Sequence, residues 1–330
     1  MGIKQLNHFL VENCTQKSIY KTNLKNFANK VIVIDTSIYL YKFAEKNAVA
    51  ENIYLMISVF RQYNIIPVFV FDGKPPAEKK ALLIKRKIEK DAAEMKYNEL
   101  KTAIDIGEQV DPSIVVEMEK LKKQFTRVTE SDIAKSKEIM NAYGVTYIES
   151  RGESDYLCAF LVKHGFAWAC LSDDMDMFLY GCPRVIRHLS LLNHEGVYYD
   201  TAQILFDLDM TQDVFNDIAI LSGTDYNMNE QKSLSETVRL YMKYREWSNL
   251  SSLKRNYIAK TFYEWLIENT DYVGDLNNLK KIKDMFDLNM FLEIHKDEFK
   301  DVVDVMPFQL REANISKLME VLNDDGFIFA

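Results

Sequence analysis

The chain has no apolar stretch near the roughly 18 residues that a bilayer crossing requires. It also has no internal repeat and no low-complexity tract. The first residues, MGIKQLNHFL, lack the charged-then-apolar layout of a secretion signal, and Leu6 stands where a myristoylation signal needs Ser or Thr. The expectation is an intracellular protein without a membrane partner, with nucleus and cytoplasm left open. Cysteine is sparse: Cys14, Cys158, Cys170 and Cys182 form no CxxC pair, which argues against a zinc site and a disulfide framework. A basic surplus is missing too, since the net charge is -8. That speaks against a uniformly cationic nucleic-acid binder, because such proteins draw affinity from counterion release. Acids gathered into one site, however, make the total negative without making the binding face acidic.

With 330 residues and 48% hydrophobic content, the chain can bury one large core or two smaller ones. Short β-branched runs each end in an acid or a turn: VIVIDTS from Val31, PVFVFDG from Pro67, VTYIES from Val145 and AWACLSDD from Ala167. Helical spacing lies between them, as at Ile53 to Tyr63 and Asp155 to His164. Alternating strand and helix predicts an α/β fold, with a mostly parallel twisted central sheet covered by helices on both faces. From Lys74 to about Met140 the chain is highly charged and helix-favouring, and it reads as two projecting helices broken near VDPS at Val110. From about Asn227 it looks all-helical, at Leu234 to Tyr244, Tyr257 to Ile267 and Ile315 to Leu322. The expected organisation is a core over 1–226, with an arch at about 74–140, and a helical region over 227–330.

Seven carboxylates stand at strand ends or just beyond them: Asp35, Asp72, Glu153, Asp155, Asp174, Asp176 and Asp225. Open α/β sheets bind ligands at that edge. Any one of these acids can equally be a helix cap or a turn residue. As a set they repel one another unless cations neutralise them. Oxygen-only ligands select a hard ion such as Mg²⁺. Two such ions about 3.5–4 Å apart suit in-line phosphodiester hydrolysis, with Mn²⁺ as a substitute.

MGIKQL, VIDTSIYLYKF, FDGKPP, RGESDYLCAFLVKHG, SDDMDMFLYG with VIRHL, and LSGTDY follow one another in the order and at spacings similar to the motifs of the flap endonuclease (XPG-type 5' nuclease) family. The resemblance covers roughly the first 230 residues. It implies a PIN-like nuclease core, metal-binding roles for the seven carboxylates, and an endonuclease or 5'-3' exonuclease acting on DNA flaps, branches or 5' ends in replication, repair or recombination. It also places phosphate-activating roles on Lys79 and Arg86, base stacking on Tyr41, close backbone approach to DNA on Gly2, and a single-strand gateway on the charged helices. Lys122, Lys123 and Arg127 would extend the gateway's basic lining. Lys80, Lys85, Lys87 and Lys90 read instead as a solvated face with Glu78, Glu89, Asp91 and Glu94 as partners. Tyr39, Tyr41 and Phe43 alternate, so core packing remains open for each.

Departures from the family pattern are visible. Asp155 stands where relatives have Glu, and Glu89 where they often carry a base. NMNEQKSLSETVRLYMKYREW lacks the glycine turn that grips duplex phosphates. NISKLMEVLNDDGF weakly resembles the family's last core helix, and neither a clamp-binding peptide nor a basic tail is apparent. A monomer is expected. An RNA-cleaving relative and a non-catalytic DNA-binding scaffold are the alternatives.

Overall fold

The computed structural model describes residues 3–105, 112–227, 232–252, 260–294, 296–303 and 305–323. They fall into two compact units that interleave along the chain, one built from Met1–Ile34 and Asp155–Pro307, the other from Asp35–Ser154 and Phe308–Ala330. Residue 227 lies inside the first of these. Among the described residues no helix is long and apolar enough to cross a membrane.

The first unit holds strands β1 (Ile19–Asn23), β2 (Val31–Asp35), which runs to its boundary, β5 (Ala169–Leu171), β6 (Arg184–Ser190) and β7 (Glu195–Asp200), while β3 (Ile66–Phe71) and β4 (Thr146–Glu149) belong to the second. Pairing of β2 with β5 is parallel, Ile32 beside Ala169 and Ile34 beside Leu171, and β5 with β6 is parallel as well. In the second unit β3 runs parallel to β4, Val68 beside Thr146 and Phe71 beside Glu149. The mostly parallel α/β expectation is met, and the four apolar runs are β2, β3, β4 and β5. Antiparallel pairs β1–β7 and β6–β7 were not anticipated. Their segments IYKTN, RVIRHLS and EGVYYD interleave polar residues and bury only some positions, so they lack the continuous apolar signature of strands covered on both faces.

Helix Val49–Gln62 carries Ile53, Met56, Ile57 and Phe60 at the i, i+3, i+4, i+7 spacing of one helical face, and all four are fully buried. Each contributes roughly 1.5–3 kcal/mol by leaving water. This helix packs against β3 and against helix Glu130–Ala142. Both helices end in the same way. A left-handed residue, Asn64 (φ 55) or Gly144 (φ 68), turns the chain, and the next amide bonds back across the last turn, Ile65 N–H to the Phe60 carbonyl and Val145 N–H to the Met140 carbonyl, each at 2.9 Å. This Schellman-type stop satisfies carbonyls that a helix end otherwise orphans and feeds the chain directly into β3 or β4.

Among the described residues, the charged segment holds three helices rather than two: Lys80–Asp105, Pro112–Phe125 and Glu130–Ala142. The third begins at a capping box in which Thr129 and Asp132 satisfy each other's backbone amides. Val110 in the VDPS break lies outside the described residues. The first two helices pack together through Tyr97 against Phe125, ring centroids 5.3 Å apart, and through the ion pair Lys96–Glu117. Farther on, helices span Leu234–Ser252, Phe262–Asn269 and Ile315–Asn323. Residues 257–259 of the expected Tyr257 to Ile267 stretch lie outside the description.

In the first unit, Lys283 Nζ reaches both Asp213 Oδ1 and the buried Asp217 Oδ1 at 2.6 Å. Burial raises the Asp217 carboxyl to about 6 although Lys283 pulls the other way, whereas Lys283 is itself held more firmly protonated by the two carboxylates. A carboxyl raised on folding favours the folded state fully below its unfolded value, and that contribution is lost as pH rises through about 6. Without Lys283 the ionised Asp217 has no cation, so Lys283→Met is expected to destabilise the protein more at about pH 8 than at about pH 5. Urea denaturation at the two pH values checks this; an equal loss at both would contradict it.

Candidate active site

In the second unit, two loops create the local site. Gly73 N–H donates to the Gly152 carbonyl at 2.6 Å and Lys74 N–H to the Arg151 carbonyl at 3.0 Å, so the loop after β3 is laced to the loop after β4. A Cβ at Gly73 would lie 1.9 Å from the Ser150 carbonyl oxygen, a backbone atom that cannot swing aside. The lacing brings Asp72, Glu153 and Ser154 together. Ser154 N–H donates to Asp72 Oδ1 at 2.7 Å and its hydroxyl donates to Asp35 Oδ1 at 3.0 Å. One residue at the start of helix Ser154–Lys163 therefore joins two of the expected metal ligands. Ser154 escaped the sequence reading; its position between Glu153 and Asp155 was the available signal.

Lys79 is buried and its Nζ meets Glu153 Oε1 at 2.7 Å. It sits in a short 3-10 turn, Ala77–Lys79, ahead of helix Lys80–Asp105. The prolines at 75 and 76 are followed by this tighter turn, which runs directly into the α-helix, so Lys79 stands at the junction and Arg86 seven residues along. Arg86 is half-buried on the helix.

Of the three alternating aromatics, Tyr39 and Phe43 are core residues, whereas Tyr41 is 42% exposed. Lys90 Nζ lies 4.8 Å from the Tyr41 ring centroid and donates to the Thr126 carbonyl at 3.1 Å. Lys90 is thus not part of a freely solvated face as expected, and burial lowers its pKa. Its neighbour Lys85 does pair with Glu89, at 3.9 Å. Arg127 is committed to Asp91 and Glu94, at 2.8 and 2.9 Å, so its charge is offset within the helix pair. Lys122 and Lys123 are exposed in the last turn of their helix. Gly2 lies outside the described residues.

In the first unit, Asp174 and Asp176 follow β5. Asp174 N–H donates to Ser172 Oγ at 3.1 Å, and Asp174 Oδ1 accepts from Asp176 N–H at 3.0 Å. Asp174 and Asp72 thus each do the capping work any turn acid can do. Asp35, Asp174 and Asp176 are nevertheless only 2%, 9% and 3% exposed, and buried carboxylates persist where cations or donors compensate them. Asp155 is half-buried at its helix start, and Asp225 sits in a turn held by Thr224 N–H and Thr224 Oγ1 donating to Asn227 Oδ1. Among the described residues no group of three or more His, Cys, Asp or Glu side chains is placed to hold a metal ion. The donor chemistry, carboxylate and hydroxyl oxygen, suits a hard divalent cation.

The lacing of the two loops is directly testable. Gly73→Ala is expected to destabilise the protein by about 1–3 kcal/mol, because the new Cβ meets backbone. Denaturant titration reads this, and a neutral result would contradict the close approach.

Comparison with known proteins follows the same motifs. The XPG N-terminal domain model matches residues 1–93 and the XPG I-region model matches residues 144–225. Flap endonuclease 1-B of Oryza sativa subsp. indica is 30% identical over 245 residues, covering 68% of this chain and 57% of its own length. The chain therefore spans less than two thirds of that relative. Flap endonuclease 1 of Methanococcus aeolicus is 26% identical over 331 residues, covering 96% of this chain and 89% of itself. Among solved structures, the catalytic core of Rad2 in complex with DNA substrate superposes with a TM-score of 0.64 at 19% identity, over 99% of this chain and 95% of that one. Flap endonuclease-1 from Methanococcus jannaschii gives 0.53 at 20% identity, over 93% and 98%. At those identities the superpositions establish a common fold. With the two XPG models in order over more than half of its residues, and flap endonucleases among its relatives, the chain belongs to the flap endonuclease, or XPG-type, family.

Proposed function

We propose that this protein is a metal-dependent, structure-specific 5' nuclease that hydrolyses DNA phosphodiester bonds at flaps, branches or 5' ends, in replication, repair or recombination. One observation carries the reading: Asp174 and Asp176 follow the carboxyl end of β5, which is paired in parallel with β2, and both carboxylates are buried. That is the edge at which open α/β sheets engage ligands. Relatives named flap endonucleases, and a solved Rad2 core described with DNA substrate, support DNA as the partner.

In this proposal Asp35, Asp72, Glu153, Asp155, Asp174, Asp176 and Asp225 hold two Mg²⁺ ions, for which Mn²⁺ substitutes. Bound Mg²⁺ supplies Lewis-acid polarisation of phosphate oxygens and a more acidic water. The chain's own groups do the remaining work. Arg86 offers a two-pronged grip on a phosphate, a geometry Lys cannot match. Lys79 keeps Glu153 in place and brings positive charge beside it. Tyr41 presents an exposed ring on which any base can stack, as a structure-selective enzyme requires. Lys122 and Lys123 supply basic surface to the single strand, whereas Arg127, balanced by Asp91 and Glu94, contributes to the rigidity of the helix pair.

Replacing Asp174 and Asp176 together by Ala is expected to abolish cleavage while leaving DNA binding measurable; undiminished cutting would reject the site. End-labelled flap, nick and hairpin DNA, set beside matched RNA flaps with Mg²⁺, should show DNA flaps cut fastest. Preferential RNA cleavage would favour the RNA-directed alternative, and binding without any cutting would favour a scaffold. Tyr41→Ala is expected to slow flap cleavage by about 5–150-fold, the equivalent of one lost base stack of about 1–3 kcal/mol. An unaltered rate would remove Tyr41 from the substrate path.

A further inference from the structure

We propose that Arg187 is a positioning residue that holds the acidic turn Ser172–Asp176 in its ligating shape and thereby sets divalent-ion affinity; the inference rests on the ligand role proposed for Asp174 and Asp176.

Strand β6 runs beside β5 as far as Ile186, whose carbonyl accepts from Ser172 N–H at 3.1 Å. Immediately afterwards the β6–β7 ladder breaks, with a register shift between Arg187 and Ser190 and His188 in the left-handed region at φ 54. A bulge of this kind re-aims side chains, and a non-glycine residue persists in such a conformation only where its surroundings over-determine it. The break directs two consecutive residues at Asp173. Arg187 Nη2 donates to the Asp173 carbonyl at 2.8 Å, and His188 N–H donates to Asp173 Oδ1 at 2.7 Å. The residue before Asp174 is thus held at both its main chain and its side chain.

Arg187 is itself fixed from behind. Its Nη1 donates to Asn7 Oδ1, which also accepts from the Tyr199 hydroxyl at 2.8 Å, and the guanidinium lies 5.5 Å from the Tyr199 ring centroid. Only 4% of the residue is exposed. A cation this deeply buried, directed at neutral oxygens, is costly to retain for packing alone. What the planar fork supplies is a fixed direction from Asn7 to the turn. Lysine keeps the charge and cannot span both partners. Outer-shell groups that orient ligands commonly govern metal affinity without touching the ion.

Titration of the 330-residue chain with Mn²⁺ alone, followed calorimetrically or by the spin resonance of free Mn²⁺, tests the proposal. Arg187→Lys is expected to weaken Mn²⁺ binding by about 10–100-fold. Flap cleavage at saturating Mn²⁺ should recover to near the parent rate, since the ligands themselves remain. A purely structural role would instead lower the melting temperature and leave the titration midpoint in place. Asn7→Ala, which releases the far anchor and removes no buried charge, is expected to shift the midpoint in the same direction and serves as the test should Arg187→Lys not fold. An unmoved midpoint in the folded variant or variants overturns the proposal. Asp174→Ala with Asp176→Ala in the same titration separates the two levels. If that pair still binds Mn²⁺ and cuts, the ligand assignment fails; if it loses binding while Arg187→Lys and Asn7→Ala retain parent affinity, only the role of Arg187 fails.

Discussion

Parallel pairing of β2 with β5 is the constraint on which the candidate site depends. With Ile32, Val33 and Ile34 beside Ala169, Cys170 and Leu171, the two strands release the chain at the same edge. The strand interiors are apolar and buried at consecutive positions, so packing on both faces holds the register, and a one-residue slip would exchange the side chains of one covered face for those of the other. The Ser172–Asp176 turn inherits its placement from that register. Polar chemistry at the strand ends is therefore located by apolar chemistry in the strand interiors.

The second unit reaches a comparable result by a different device. Here the strands β3 and β4 are followed by loops stitched backbone to backbone, and Gly73 is the residue that lets them approach. Ser154 then gathers Asp35 and Asp72, and Lys79 answers Glu153. Bonds of this type place side chains more tightly than packing does, because each donor and acceptor fixes a direction as well as a distance. The same economy of charge extends along the long helices, where Asp91 and Glu94 take Arg127 and leave Lys122 and Lys123 exposed as cations.

An overall charge of -8 is compatible with a DNA-directed family because the acids are used locally. Several cap or cross-link the turns in which they stand, as Asp72, Asp174 and Asp173 do. Others neutralise neighbouring bases. Carboxylates that already accept a main-chain or hydroxyl donor are held in orientation before any ligand arrives, which limits the conformational entropy lost on binding.

The sequence by itself determined the four apolar strands, the helices with one buried face, the positions of the seven acids and the family to which the chain belongs. These follow from local periodicity and from motif order, which a linear chain carries openly. Tertiary structure decided what depends on partners far apart along the chain: Ser154 bonded across 82 and 119 positions, Lys79 paired across 74, and the choice of Tyr41 over Tyr39 and Phe43 as the exposed ring. It also decided the antiparallel strands, whose pairing partners the local pattern does not reveal. Periodicity encodes which face of an element is apolar; which donor meets which acceptor is settled only once those faces have packed.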